Sequence, residues 1–157
     1  MRESFGATGI FIIVVTFIIL FTAYLSVSVN YAKAFKIKNH IISIIEENNV
    51  YNDSVEDQIK NYLVAQRYSA HGVIDEAPDG WNKVGCVGQN PTNDRDCMTT
   101  IFKVESAYKS ELAKDPICDG TRTYYKVVTY FNFVLPILNI NIPFKVSGDT
   151  GTICEDV

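Results

Sequence analysis

From Phe5 to Val29 the chain runs for 25 residues without a charge, and its centre, IFIIVVTFIILF, is dense in Ile, Val and Phe. A bilayer core needs about 20 apolar residues in helical form. A half-buried surface helix would be polar on one side, and this run is apolar on all of them. A cleavable signal peptide has a shorter apolar region followed by a small-residue cleavage site, which Ala23 and Ser26 imitate. The length favours a retained anchor, so the water-soluble fold is expected after it.

No turn follows the run. NYAKAFKIKNHIISIIEENN continues without Pro or Gly, with Tyr31, Phe35, Ile41, Ile42 and Ile45 at helical spacings. One helix is expected from Ser4 to Asn48, a rod roughly 65 Å long whose second half stands out of the membrane. This divides the chain into a membrane anchor with stem helix, 1–49, and an α+β domain, 50–157. The stem's apolar positions Phe35, Ile41, Ile42 and Ile45 need cover, and neighbouring helices of its own or partner subunits are the expected source. A second amphipathic helix follows in VYNDSVEDQIKNYLVAQRY. Asp53 is its expected N-cap, with Glu56 three positions on as in a capping box. Val55, Ile59, Tyr62, Leu63 and Gln66 mark its inner face.

Residues 73–123 are rich in turn formers, with a short strand expected near Val84–Val87 and another in IFKVESAYK; KSELAKD reads as strand end or helical turn. The closing part alternates. Tyr125, Val127, Thr129, Phe131, Phe133 and Leu135 share one face, and after Pro136 so do Leu138, Ile140, Ile142, Phe144 and Val146. A second membrane span here would bury Lys126 or Lys145 in lipid at several kcal/mol each. An antiparallel sheet with one face on the helices is expected instead, with Pro143 on an edge or bulge. A last strand in GTICEDV would follow a turn at Gly148–Gly151.

The formal charge is −4, unevenly placed: residues 46–157 hold 10 Lys and Arg against 17 Asp and Glu, a formal −7. An acidic outer domain lacks the basic stripe that nucleic acid requires. Cys86, Cys97, Cys118 and Cys154 all lie in it, which suits disulfides in an oxidising exterior. Pairing neighbours gives Cys86–Cys97 and Cys118–Cys154, one of three connectivities. Lys33, Lys36 and Lys38 after the span pull the other way, since cations prefer the cytoplasmic side. Catalytic signatures are missing: there is no G-x-S-x-G, Walker loop or H-E-x-x-H. Asp149-Thr150-Gly151 matches the aspartic-protease triplet, but that chemistry needs two carboxylates, and a tight turn accounts for it. Asp75, Glu76 and Asp79, or Asn93, Asp94 and Asp96, offer oxygens for calcium without the spacing of a calcium loop. No cofactor, metal or small-molecule substrate is expected.

A charged tip, a span running on into an amphipathic stem and a C-terminal sheet together resemble pilin-like proteins. TYYKVVTYFNFVLPILNINIPFKVSGDTGTI resembles the end of TadE/TadF-like proteins of the tight-adherence (Flp) pilus system, with Leu135-Pro136 at the family's Leu-Pro. The resemblance covers the N-terminal helix and residues 121–153. It implies a non-enzymatic, single-pass subunit with a cytoplasmic N-terminus and an extracellular C-terminal domain, working with other pilin-like subunits or assembly proteins. Family members carry a glycine before the apolar run and a glutamate a few residues into it. Here Gly6 and Gly9 are followed by no such glutamate, and Glu3, the only acidic residue of the tip, stands before them. Glu3 is therefore the candidate to pair with Arg2 or a neighbouring N-terminus in assembly. A bitopic cell-surface binding or sensing protein outside any filament is the competing class.

Overall fold

The computed structural model describes residues 2–70, 72, 77–88, 97–106, 121–135 and 140–155. The fold is mixed α+β: a helix α1 (Arg2–Asn48), a helix α2 (Asp53–Ala65), and strands β1 (Asn82–Val87), β2 (Thr99–Ser106), β3 (Thr121–Leu135), β4 (Ile140–Asp149) and β5 (Ile153–Glu155). Cys118, Pro136, Leu138, Asn139, Asp75, Glu76, Asn93, Asp94, Asp96 and the 109–115 segment lie outside the described residues.

The chain from Arg2 to Asn48 is one helix of 47 residues, about 70 Å long. It ends with Asn49 in the left-handed conformation, φ 54°, which asparagine tolerates better than most residues. The N-cap of α2 is Asn52 rather than Asp53: the Asn52 side chain accepts the Val55 N–H at 3.0 Å. The capping box does not form, because with Asn52 as cap the third helical position is Val55; Glu56, one further on, accepts a hydrogen bond from the Tyr51 hydroxyl at 2.8 Å. Val55, Ile59 and Leu63 are buried as their spacing requires, whereas Gln66 lies exposed beyond the helix.

The strands form one antiparallel sheet in the order β1-β2-β3-β4, with β5 also on β3. β4 pairs with residues 126–135 of β3 and β5 with residues 121–123, so both lie along the same edge of β3 and run in the same direction. The expected turn at Gly148–Gly151 is therefore an interruption in one line of pairing. Gly148 and Asp149 are still paired within β4, and the chain does not reverse. Thr150 plugs the interruption: its N–H donates to the Tyr125 carbonyl at 2.8 Å, and its hydroxyl accepts the Tyr125 N–H at 3.0 Å. Pro143 sits opposite Asn132 in β4, the edge strand, where a missing N–H costs least.

The main core lies between the helices and the sheet. Ile37, Ile41 and Ile45 of α1 and Val55, Ile59 and Leu63 of α2 pack on Ile101, Tyr125, Val127 and Ile153. The cover for Ile41 and Ile45 is thus the chain's own sheet and second helix, not a neighbouring subunit. Ile42 packs against the same core half-buried, and Phe35 remains exposed. The second half of α1 shares its core with the sheet.

The sheet's other face is also covered in part. Phe102, Val128 and Tyr130 cluster there with Cys97, beneath Trp81 and Cys86. Period two alone anticipates one wet face, whereas β2 and the middle of β3 bury residues on both. The Cys86–Cys97 disulfide, with its Cα atoms 5.3 Å apart, pins the approach to β2 against β1. Cys154 is also disulfide-bonded, and no described cysteine is free; Cys118, its expected partner, lies outside the described residues.

Candidate membrane-proximal site

The two halves of α1 differ in what touches them. Residues 8–22 are exposed on every side. From there a half-covered stripe begins at Ala23, Ser26, Val27 and Asn30 and deepens into the buried positions Ala34, Ile37, Ile41 and Ile45. Spacings of three and four keep these residues on one helical face, the face turned to the sheet. Among the described residues α1 is the one helix long and apolar enough to cross a membrane.

Two contacts set the direction of α1 against the sheet. Asn30 donates from its side chain to the Asn132 carbonyl at 3.4 Å, and Glu46 accepts the Gly151 N–H at 2.7 Å. α1 therefore runs antiparallel to β3, and the Leu135–Ile140 end of the β3–β4 pair lies toward the apolar run. At about 3.3 Å per strand residue, Leu135 lies roughly 10 Å beyond Asn132, the rise of about seven helical residues. That brings the hairpin level with the half-covered stripe at Ala23–Val27.

A ladder of rings joins helix to hairpin here. Phe35 stacks with Tyr31, Tyr31 meets the Phe131 edge at 6.0 Å, and Phe131 stacks on Phe144 at 5.4 Å. Phe131 is buried, but Tyr24, Val29, Tyr31, Ile142 and Phe144 keep about 40–70% of their surface exposed. Tyrosine at the end of an apolar run is the pattern of a membrane interface, where its ring is apolar and its hydroxyl wet.

α2 runs back along α1, with the His40 and Tyr62 rings 4.1 Å apart and Lys33 5.7 Å from the Tyr68 ring. It stops before reaching the level of Asn30. The angle left open between α1 and β3 is a cavity of about 300 Å³, lined in part by Asn30, Lys33, Arg67, Ser69, Phe131 and Asn132. Arg67 stands just past the end of α2 with φ 49°, a left-handed position usually given to glycine. Tyr68 closes the cavity's inner wall, and its hydroxyl donates to the Tyr130 carbonyl. Burial pushes the Tyr68 hydroxyl well above the ordinary tyrosine value.

The remaining expected positions are structural or fall elsewhere. Asp149 of the protease-like triplet forms an ion pair with Lys126 at 3.7 Å, and Thr150 is the plug described above. No cluster of metal-binding side chains occurs among the described residues. Glu3 lies in the first turn of α1, and its side chain is outside the described set. Sequence reading placed Tyr31 on the stem and Phe144 on the alternating strand face, but not in one site, and it passed over Arg67: nothing in the sequence marks a left-handed arginine.

No protein-family model, curated protein or solved structure matches the chain.

Proposed function

We propose that the protein is a non-enzymatic, single-pass membrane subunit of pilin-like type, acting in the assembly of a tight-adherence or type IV-like pilus or secretion apparatus. One observation carries this reading. A single helix is uncovered over its apolar first half and sunk into its own antiparallel sheet over its second half. The uncovered half buries itself in lipid or against identical halves of other subunits. The folded half stays rigidly attached, so packing of the spans sets the positions of the domains. Phe35 is the one expected assembly residue that stands free on the stem, so a partner reaches the stem there rather than at Ile41 or Ile45. The disulfides favour placing the domain outside the cytoplasm.

Photo-cross-linking from Phe17 in the span and Phe35 on the stem, in intact cells, tests the assembly role. A ladder of multiples, or a constant product with another membrane protein, is the expected result. Monomer alone from both positions would leave a bitopic binding protein as the reading. Labelling of reduced cysteines with a membrane-impermeant thiol reagent tests orientation, and labelling only after permeabilisation would overturn the outward topology.

A further inference from the structure

Charge is sorted along the two helices. Because α1 and α2 are antiparallel, Glu46, Glu47, Asp53, Glu56 and Asp57 gather at the end far from the apolar run, while Lys33, Lys36 and Arg67 stand at the near end. Lys33 and Arg67 both line the cavity between α1 and β3, and no acidic side chain lines it. Asn132 lines it too, and its side-chain oxygen is buried without a hydrogen-bond partner. The arginine is held in a backbone conformation that costs a non-glycine residue about 1 kcal/mol. Such strain concentrates where a side chain has a task.

From these observations we infer that the cavity takes the phosphate of an anionic phospholipid headgroup, drawn from the leaflet on which the domain stands. The inference rests on the reading of α1 as a membrane anchor. Position selects the lipid as the source of phosphate. The uncharged run of 25 residues exceeds a core of about 30 Å by roughly five residues. The hairpin lies beside those last residues, and a sheet edge belongs in the headgroup layer rather than in hydrocarbon. Asn30 and Lys33 follow within the next turn, at the outer side of that layer. Lysine and arginine side chains are long enough to reach inward to phosphates from there. At about 300 Å³ the space is at the lower end for a small ligand, enough for a headgroup phosphate but not for acyl chains. Lys33 thereby acquires a role at the lipid surface that does not depend on which side of the membrane it faces.

The test is native mass spectrometry of the full-length chain released from nanodiscs of mixed phosphatidylglycerol and phosphatidylcholine. The wild-type chain is expected to retain one phosphatidylglycerol preferentially. Lys33→Gln with Arg67→Gly should reduce that preference roughly tenfold or more, given about 1 kcal/mol per cation at a lipid surface. Glycine suits the left-handed position, so Arg67→Gly alone should lose lipid without losing thermal stability. Lys36→Gln, outside the cavity, should retain the preference. Equal retention by the double variant, or equal loss in Lys36→Gln, would overturn the inference. So would thermal protection of the detergent-solubilised chain by inorganic phosphate with no preference for the lipid. Extraction of the chain from vesicles by alkaline carbonate is a separate readout, which would remove the anchor reading and this inference with it.

Discussion

The main-chain N–H of Gly151 donates to Glu46 Oε1 at 2.7 Å, tying the last turn of α1 to the interruption between β4 and β5. This bond and the Thr150 plug together hold β5 on the line of β4. Glu46→Ala is expected to lower the stability of the full chain by about 1 kcal/mol, as for other single hydrogen bonds. Glu46→Gln, which keeps an oxygen acceptor, should lose less. Urea unfolding in mild detergent measures both, and equal losses would show that the bond contributes little.

The stem's apolar residues should separate sharply by energy. Ile41 and Ile45 are fully buried, so Ile41→Ala or Ile45→Ala should cost about 2–5 kcal/mol each. Phe35→Ala should cost about 1 kcal/mol or less, because the ring is 43% exposed. If cross-linked assemblies form as proposed, Phe35→Ala should weaken them while leaving the melting temperature nearly unchanged. Thermal unfolding and cross-link yield on the same variants read the two effects apart.

Alkaline pH should unfold the domain through two tyrosines. Burial first, then the hydrogen bond to Glu56, raises Tyr51 above its ordinary value, and burial raises Tyr68. With the folded value raised, both hydroxyls hold their protons in the folded chain after the unfolded chain has lost them. Their contribution is complete below the unfolded value near pH 10 and is lost as pH climbs above it. The limiting slope is about 1.4 kcal/mol per pH unit for each tyrosine. Tyr51→Phe should flatten the profile above pH 10, as measured by denaturant midpoints across pH 8–11.

Gly85 is fixed by the Tyr51 ring rather than by its own backbone angles. Residues Lys83 and Gly85 bracket an irregularity in the β1–β2 register, and a Cβ at Gly85 would overlap the Tyr51 hydroxyl and ring. Gly85→Ala should therefore cost about 1–3 kcal/mol by overpacking. Tyr51 also approaches Tyr125, with ring centroids 6.3 Å apart, and its displacement should appear as a change in near-ultraviolet circular dichroism. Gly80, with open space where a Cβ would go, offers no such clash.

What the sequence made legible was the repetitive part. The 25-residue run, the α2 face Val55–Ile59–Leu63 and the β3 alternation Tyr125–Val127–Thr129–Phe131 each repeat one local rule over many residues. Features settled by a single distant partner were not legible. Asn52, not Asp53, caps α2 because its side chain takes the Val55 N–H, and GDTG imitates a turn until Tyr125 is seen holding Thr150. The second covered face of the sheet depends on Trp81, just before β1, and on Cys97, just before β2 and bridged to Cys86 of β1. The cavity is less legible still, since one of its two cations comes from α1 and the other from just past α2, placed there by a left-handed backbone.

The unbroken α1 removes a freedom that most tethered domains have. With no proline from the apolar run to Asn48 and the sheet bolted along its second half, the described chain has no swivel between the two halves of α1. In the proposed anchoring, its heading would be the azimuth of the helix in the lipid. One residue inserted between Thr22 and Ala23 would turn the whole sheet by about 100° and lift it about 1.5 Å. In the proposed assembly, a neighbour that grips the span would thereby aim the domain, as a hand on a key's bow aims its teeth.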